Sequence, residues 1–515
     1  MERAIRFVCN REQVTTTSPS GMVVLDFLRN ERGLLGTKAA CREGDCGSCT
    51  VLVGTNIPGE KRVRYRAVTS CLLPLGEIGG KHLVSIEGVN LPHTEDGSPP
   101  LLNPVQRLFV EEGATQCGFC TPGFILSLTY FFLEAESLDY ESAIDAVAGN
   151  ICRCTGYGAI RRAVRRLVDE YGVKMPPGNE RLEALIKAEI VPEYFSEIST
   201  VLDEMSSPGD RDASSGAASG ARTGPVLVAG GTDLYVQKPE TLAEEDVRFV
   251  SRRDGIDSVA HTGTRFVVGA GVPTEDLKQN RELISAIPGW REHLGLIASA
   301  QIRQRATVGG NIVNASPIGD LAVYFLALGT EVKIEKDGME PGGEEAGRTV
   351  KLEDFFLGYK KLDLQPGEAV KEFSFSLPDE GGAINFEKVS RRTHLDIASV
   401  NSALRLETAK EKGGVKIVSA GLAAGGVAPV PLLLRKAGGV LSGKGSSGNR
   451  LTAELVKEAA EAADEEINPI TDIRGSAEYK RLLLRQLIYA HFVTLFPEEV
   501  PPEELFRSPA GGGAA

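Results

Sequence analysis

No cysteine occurs between Thr155 and the last residue, Ala515. Nor is there a long apolar run. The most apolar stretch, FILSLTYFFL (124–133), is about half the length of the roughly 20 residues a membrane-crossing helix needs, so no membrane span is expected. The N-terminus, MERAIRFVCN, lacks an apolar signal core, which makes a cytoplasmic location the expectation. Basic charge is in deficit: 57 Lys and Arg against 70 Asp and Glu leave a formal charge of −13, which excludes the electrostatic footprint of a nucleic-acid binder and disfavours an anionic membrane surface. A local basic stretch, IRRAVRRL (160–167), is then a solvated helix face. The dinucleotide fingerprint G-x-G-x-x-G is missing too, since VVGAGVP (267–273) has no third glycine, so a Rossmann site is not expected.

The composition, 42% hydrophobic and 25% charged over 515 residues, is that of a soluble globular chain of three or four domains. Eight of its nine cysteines fall in two groups between residues 41 and 154, a distribution that core usage does not produce. The ninth, Cys9, sits in the apolar strand AIRFVC and reads as a small buried hydrophobe.

The first group is Cys41-x4-Cys46-x2-Cys49, followed by Cys71. This is plant-type ferredoxin spacing for a [2Fe–2S] cluster. Such a cluster needs a wrapping loop. Gly44 and Gly47 permit backbone conformations closed to other residues and leave amides free to point at sulfur. MVVLDFLRNERG (22–33) reads as an amphipathic helix before the loop, and TVLVG (50–54) as a strand after it. A structural zinc site is the alternative, but its ligands come as two close pairs, unlike this spacing.

The second group is Cys117-x2-Cys120 and Cys152-x-Cys154, in helical surroundings. Asn103 before Pro104 is an N-cap with proline at the first helical position. A helix runs from there to the QCGFC turn, and Pro122 opens the next. Ile160, Val164, Leu167 and Tyr171 mark the inner face of a closing helix. Two turns at helix ends, each offering two thiolates, would hold a second cluster. Zinc is again the alternative, though Cys-x-Cys ligands strain a tetrahedral site.

CREGDCGSCTVLVG (41–54), TQCGFCTPGFILSL (115–128) and GNICRCTGYGAIRRAV (149–164) resemble the iron–sulfur region of the molybdenum hydroxylases, which include xanthine dehydrogenases, aldehyde oxidoreductases and carbon monoxide dehydrogenases. The resemblance implies a [2Fe–2S] cluster on Cys41, Cys46, Cys49 and Cys71, nearer the flavin. It implies a second on Cys117, Cys120, Cys152 and Cys154, nearer the molybdenum cofactor.

Two Gly-Gly turns follow: AGGTDL (229–234), after an apolar strand, and ATVGGNIVNASPIGD (306–320). On spacing alone each is either a tight structural turn or a backbone cradle for a pyrophosphate. They resemble the two FAD-binding loops of the same family. The resemblance places FAD along Leu227, Val228, Ala229, Gly230, Gly231, Thr232, Asp233 and Leu234, then Thr307, Val308, Gly309, Gly310 and Asn311. Ile297 matches a residue beside the flavin ring, and Asp320 and Lys388 match positions that hydrogen-bond the cofactor.

The implied fold is α+β and multidomain: a β-grasp plant-type ferredoxin-like domain (1–85), a four-helix [2Fe–2S] domain (86–172) and a linker (173–188). An α+β FAD-binding domain (189–378), an α/β flavoprotein subdomain (379–496) and a disordered tail (497–515) follow. The Ser/Gly/Ala-rich segment 206–224 reads as a flexible insertion. Leu482, Leu483, Leu484, Leu487 and Ile488 mark the core face of the last helix, whose stretch DIRGSAEYKRLLLRQLI (472–488) resembles the small subunits of the xanthine dehydrogenase branch, as does FFLGYKKLDLQPGE (355–368).

No residues read as a hydroxylation site, and no length remains for a molybdopterin-binding region. The expectation is therefore the electron-transfer chain of a split oxidoreductase, with no catalytic residue of its own for hydroxylation. A large subunit would carry the molybdenum cofactor, in a heterodimer assembling to a heterotetramer, and the final acceptor would be NAD near SRRTHLD (390–396). Other members' chemistry (an aldehyde, CO or aromatic heterocycle) and a stand-alone NADH diaphorase are the alternatives.

Overall fold

The computed structural model describes residues 4–57, 59–60, 62–92, 101–178, 180–205, 226–245, 247–250, 255–336, 347–378 and 382–506. The expected insertion at 206–224 lies outside them. The chain forms two compact units. One comprises residues 1–252 with 299–306, the other 253–298 with 307–515.

The first unit begins with a five-stranded sheet in the order Glu12–Thr16, Ile5–Cys9, His82–Val84, Thr50–Asn56, Val63–Thr69. Val8 pairs in parallel with His82, and the other neighbours are antiparallel. Successive side chains point to opposite faces, and both faces are covered. Phe7, Cys9, Val51 and Val53 join one core with Val24, Phe27 and Leu28 of the helical stretch before the cysteine loop. Val8, Leu52, Tyr65 and Ala67 join another with the helices that follow. The apolar run TVLVG is thus a strand buried on both sides.

Those helices are Pro104–Glu111, Thr121–Glu134, Tyr140–Val147 and Gly158–Tyr171. Asn103 caps the first through a reciprocal box with Gln106, and Asp139 caps the third. In Thr121–Glu134 every residue from Gly123 to Leu133 except Tyr130 is buried. FILSLTYFFL is a core helix. Among the described residues no helix is long and apolar enough to cross a membrane. The arginine-rich face is solvated as expected: Arg162 and Arg166 pair with Glu112, and Arg165 lies over the Tyr140 ring at 3.8 Å.

The stretch taken as a linker contains the helix Glu180–Lys187, anchored by the fully buried Leu185. This unit also holds a parallel pair of short strands, Val226–Val228 and Val247–Phe249.

Among the described residues the second unit has two larger antiparallel sheets and a two-stranded pair, Phe356–Gly358 with Lys361–Leu362. The first runs Arg348–Lys351, Glu331–Lys336, Glu368–Ser376, Arg265–Gly269, Val259–Thr262. The second runs Ala383–Val389, Val400–Glu411, Gly414–Gly425, Leu432–Leu433. Between them lies the helix Asp320–Ala327, whose residues from Leu321 onward are buried. The helices Ala453–Glu466 and Ala477–Leu495 complete the last core. Leu483, Leu484, Leu487 and Ile488 are buried there as the sequence suggests, whereas Leu482 is 43% exposed. The stretch expected to be a tail contains the helix Pro502–Phe506, and Val500 and Leu505 are buried in this same core, two apolar residues hidden among Pro and Glu.

Candidate redox centres

The eight cysteines gather into two sets of four within the first unit. In the first set, the Cys41 thiol donates to the Cys46 sulfur at 3.3 Å. That bond holds Cys46 down at about 5 and pushes Cys41 up. Cys71 donates to Cys49 in the same way, lowering Cys49 and raising Cys71. The pairs also feel each other, Cys41 acting on Cys71 and Cys46 on Cys49.

In the second set the Cys154 thiol donates to Cys117 at 3.1 Å, raising Cys154. Cys117 is lowered first by the Phe119 amide and then by that thiol. Burial pushes Cys120 up to about 12. Burial acts in the same sense on Cys152, but the Thr155 hydroxyl, 3.1 Å away, and the Thr155 amide, at 3.4 Å, outweigh it and lower that thiol. One sulfur in each pair is thus biased toward the thiolate, the form that ligates metal.

Glycine makes the first loop possible. Gly44 has φ +79° and Gly47 φ +65°, left-handed values that suit glycine. A Cβ on Gly47 would stand 2.4 Å from the Gly149 carbonyl oxygen. The Gly44 amide points at Cys71 and the Glu43 amide at Cys41, the latter at 3.4 Å. Amides aimed at sulfur stabilise negative charge on it. Among the described residues no three His, Cys, Asp or Glu side chains close on a single ion. Sulfur pairs are the repeating feature here, and they suit a binuclear core with two sulfurs per iron.

The two sets are directly joined. The Ile151 amide, next to Cys152, donates to the carbonyl of Cys46 at 3.0 Å, so a cysteine of one set and the neighbour of a cysteine of the other share a hydrogen bond.

The candidate flavin residues divide between the units. Leu227 to Leu234 belong to the first; Ile297, Thr307 to Asn311, Asp320 and Lys388 belong to the second. In the first loop Gly230 and Gly231 are buried, Gly231 has φ +71°, and no acceptor among the described residues takes their amides. Buried amides without partners suit an anion. A Cβ on Gly230 would lie 2.1 Å from the Arg305 carbonyl oxygen, and the Arg305 guanidinium holds the Gly230 carbonyl at 2.8 Å.

The second loop differs from an open cradle. Val308 and Gly309 donate to Val272 and Ala270, Gly310 to the Thr307 hydroxyl, and Asn311 to the Thr307 carbonyl. What it leaves unmet is a side-chain acceptor, Asn311 Oδ1, which is buried without a partner among the described residues. Lys388, with its side chain 1% exposed, bonds Asp320 at 2.8 Å and the Leu296 carbonyl at 2.8 Å. Asn401, which the sequence did not single out, holds the other Asp320 oxygen. The 390–396 loop grips the same backbone: Leu395 donates to Ala298 and His394 Nδ1 to Gly295. Ile297, Asp320, Lys388 and that loop are thereby assembled in one place. The residues present fit two iron–sulfur clusters and, loop by loop, a flavin dinucleotide.

Four family models match in succession: a 2Fe-2S iron-sulfur cluster binding domain (7–75), a [2Fe-2S] binding domain (86–165), the FAD binding domain in molybdopterin dehydrogenase (212–378) and the CO dehydrogenase flavoprotein C-terminal domain (385–495). Two of the four are 2Fe-2S binding domains and two are flavoprotein domains. Their cofactors are those of an oxidoreductase, and they match the α+β multidomain expectation. Among curated relatives, xanthine dehydrogenase/oxidase of Rattus norvegicus is 24% identical over 96% of this chain. Xanthine dehydrogenases 1 and 2 of Arabidopsis thaliana are 27% and 29% identical over 95% and 86%. The chain spans only 39%, 39% and 36% of those three proteins. Among solved structures, a chain of CO dehydrogenase from Oligotropha carboxidovorans is 28% identical, with a TM-score of 0.45, over 51% of this chain and 86% of that one.

Proposed function

We propose that this chain is the electron-transfer part of a split molybdenum hydroxylase of the xanthine dehydrogenase kind. It takes electrons from a partner chain bearing the molybdenum cofactor and delivers them through two [2Fe–2S] clusters to FAD, and then to NAD. Bound clusters supply one-electron steps, and bound flavin supplies the junction between one- and two-electron chemistry. The observation that carries this reading is the Ile151–Cys46 hydrogen bond, because it makes the two cysteine sets one continuous structure.

The chain's own residues divide the work. Cys41, Cys46, Cys49 and Cys71 hold one cluster in a loop whose amides face sulfur. Cys117, Cys120, Cys152 and Cys154 hold the other. Cys117 and Cys154 are exposed, which favours this edge for the molybdenum-bearing partner, since tunnelling demands short distances. Gly230 and Gly231 present amides to the dinucleotide, while Lys388 and Asp320 fix the backbone beside Ile297. Placement of the 390–396 loop against that backbone supports NAD as acceptor. Xanthine is the favoured substrate of the partner, following the relatives' names.

The test is a metal, sulfide and flavin assay of the purified chain, alone and with a co-expressed partner. The expected content is about four irons, four sulfides and one FAD, with molybdenum only when a partner copurifies. Zinc in place of iron, or no flavin, would end this reading. Gly230→Val should expel FAD and leave both clusters.

A further inference from the structure

Between the two cysteine sets lies a buried polar knot that neither set needs for ligation. Asn150, 4% exposed, stands two residues before Cys152. Its Nδ2 donates to the carbonyl of Gly47 at 3.1 Å, between Cys46 and Cys49. Its Oδ1 accepts from Ser127 at 2.8 Å and from Gln301 Nε2 at 3.0 Å. Gln301, 1% exposed, also reaches Ser127 at 2.9 Å and the Ala146 carbonyl at 3.1 Å. The fit is tight: a Cβ on Gly123 would lie 2.2 Å from the Gly47 oxygen, and one on Gly149 would lie 1.9 Å from Gln301 Oε1.

Packing alone does not account for a glutamine here. Its Oε1 is buried with no hydrogen-bond partner, a condition that costs about 1–3 kcal/mol and that a leucine would avoid. What the amide provides is its donor side, and every acceptor it meets belongs to a segment carrying the cysteines or to one of the two helices between Cys120 and Cys152. Gln301 itself comes from Ser299–Ala306, which in the chain separates Ile297 from Thr307 and packs in the iron–sulfur unit.

We propose that Gln301 is a positioning residue for electron passage between the two cluster loops. Through Asn150 and Gly47 it fixes the Ile151 amide on the Cys46 carbonyl, and with it the spacing of the two cysteine sets. The inference rests on the electron-relay reading above.

The test uses the full chain with both clusters loaded. Gln301→Glu keeps the shape but loses the amide donors, Gln301→Leu removes polarity altogether, and Asn150→Asp keeps the acceptor for Ser127 and Gln301 but turns a carboxylate oxygen in place of a donor toward the Gly47 carbonyl. The readouts are iron content, the g-values of each reduced cluster, the spin–spin splitting between them, and the rate of electron equilibration after flash reduction. All three variants should keep their iron and g-values, lose splitting, and equilibrate about tenfold more slowly, the low end for changes behind metal ligands. Unchanged splitting and rate would overturn the role of Gln301, and so would loss of a cluster in all three, which would make the knot a folding element. A wild-type chain whose loaded clusters exchange no electrons would instead overturn the relay reading.

Discussion

The two cysteine sets hold the same number of thiols in different settings. Cys49 and Cys71 are 2% and 4% exposed, held at strand ends in a core shared with Val23, Leu25 and Leu72. Cys117 and Cys154 are exposed, on turns at the ends of helices whose packing faces point elsewhere. A loop grown from a two-sided sheet encloses what it binds; a pair of helix-end turns presents it. The first set therefore has two thiols in the fold's interior, Cys49 and Cys71, and two half-buried, whereas the second has one buried, Cys152, one half-buried and two at the surface.

The sharpest way to break this contrast is to remove one ligand from each set. Cys71→Ala should cost about 3 kcal/mol or more, because a bound cluster and a filled interior are lost together. Cys154→Ala should remove the helical-region cluster, leave FAD bound and leave the thermal midpoint nearly unchanged. Calorimetry with iron and flavin analysis reads both, and equal destabilisation would erase the distinction. Glycines give the next effect. Gly47→Ala combines a left-handed φ of +65° with a Cβ only 2.4 Å from the Gly149 carbonyl oxygen and should cost about 3 kcal/mol. Gly118→Ala, with φ +77° and only the Thr115 hydroxyl, 4.0 Å away, near its Cβ position, carries only the backbone term of about 1–2 kcal/mol. Chemical denaturation of the two variants compares them, and a cheaper Gly47→Ala would contradict the enclosed loop.

These residues differ in how far the sequence alone reveals them. Thiols in short fixed spacings stand out in a sequence, so the two groups of four cysteines that the fold brings together are legible, as is the local Asn103–Pro104 cap. Gln301, Asn150 and Gly47 are not, because their meeting joins segments 103 and 151 residues apart and no short-range pattern records it. The second Gly-Gly turn looked like an amide cradle, yet its amides are satisfied by Val272 and Ala270 and by Thr307, partners that only tertiary packing supplies. Buried Leu185, Val500 and Leu505 were overlooked because single apolar residues in polar stretches carry no periodicity.

Acid should separate the two regions less strongly. Burial holds His82, within the sheet, at about 4 against an ordinary 6.5. Its Nε2 donates to the Asn10 carbonyl, leaving Nδ1 to accept from Tyr65. The unfolded chain protonates this group first, so its contribution is whole above pH 6.5 and is lost as pH falls toward 4. The loss amounts to about 2 kcal/mol by pH 5. The four-helix stretch from 101 to 172 contains no histidine. Amide exchange followed from pH 7 to 5 should show the sheet loosening before the helices, and the variant His82→Gln should flatten the difference.

The smallest effect tests the helical side alone. Asn103 is fully buried; its side chain accepts from Gln106 at 2.9 Å and donates to the Val89 carbonyl at 3.0 Å. Asn103→Ala removes the cap and strands that carbonyl, for about 1–2 kcal/mol. Because Pro104–Glu111 carries no cysteine, both clusters should stay loaded while amide protection falls in that helix first. Loss of the helical-region cluster in this variant would mean that its exposed thiols depend on helix packing as closely as the enclosed set depends on its sheet, and the contrast between presenting and enclosing would narrow to exposure alone.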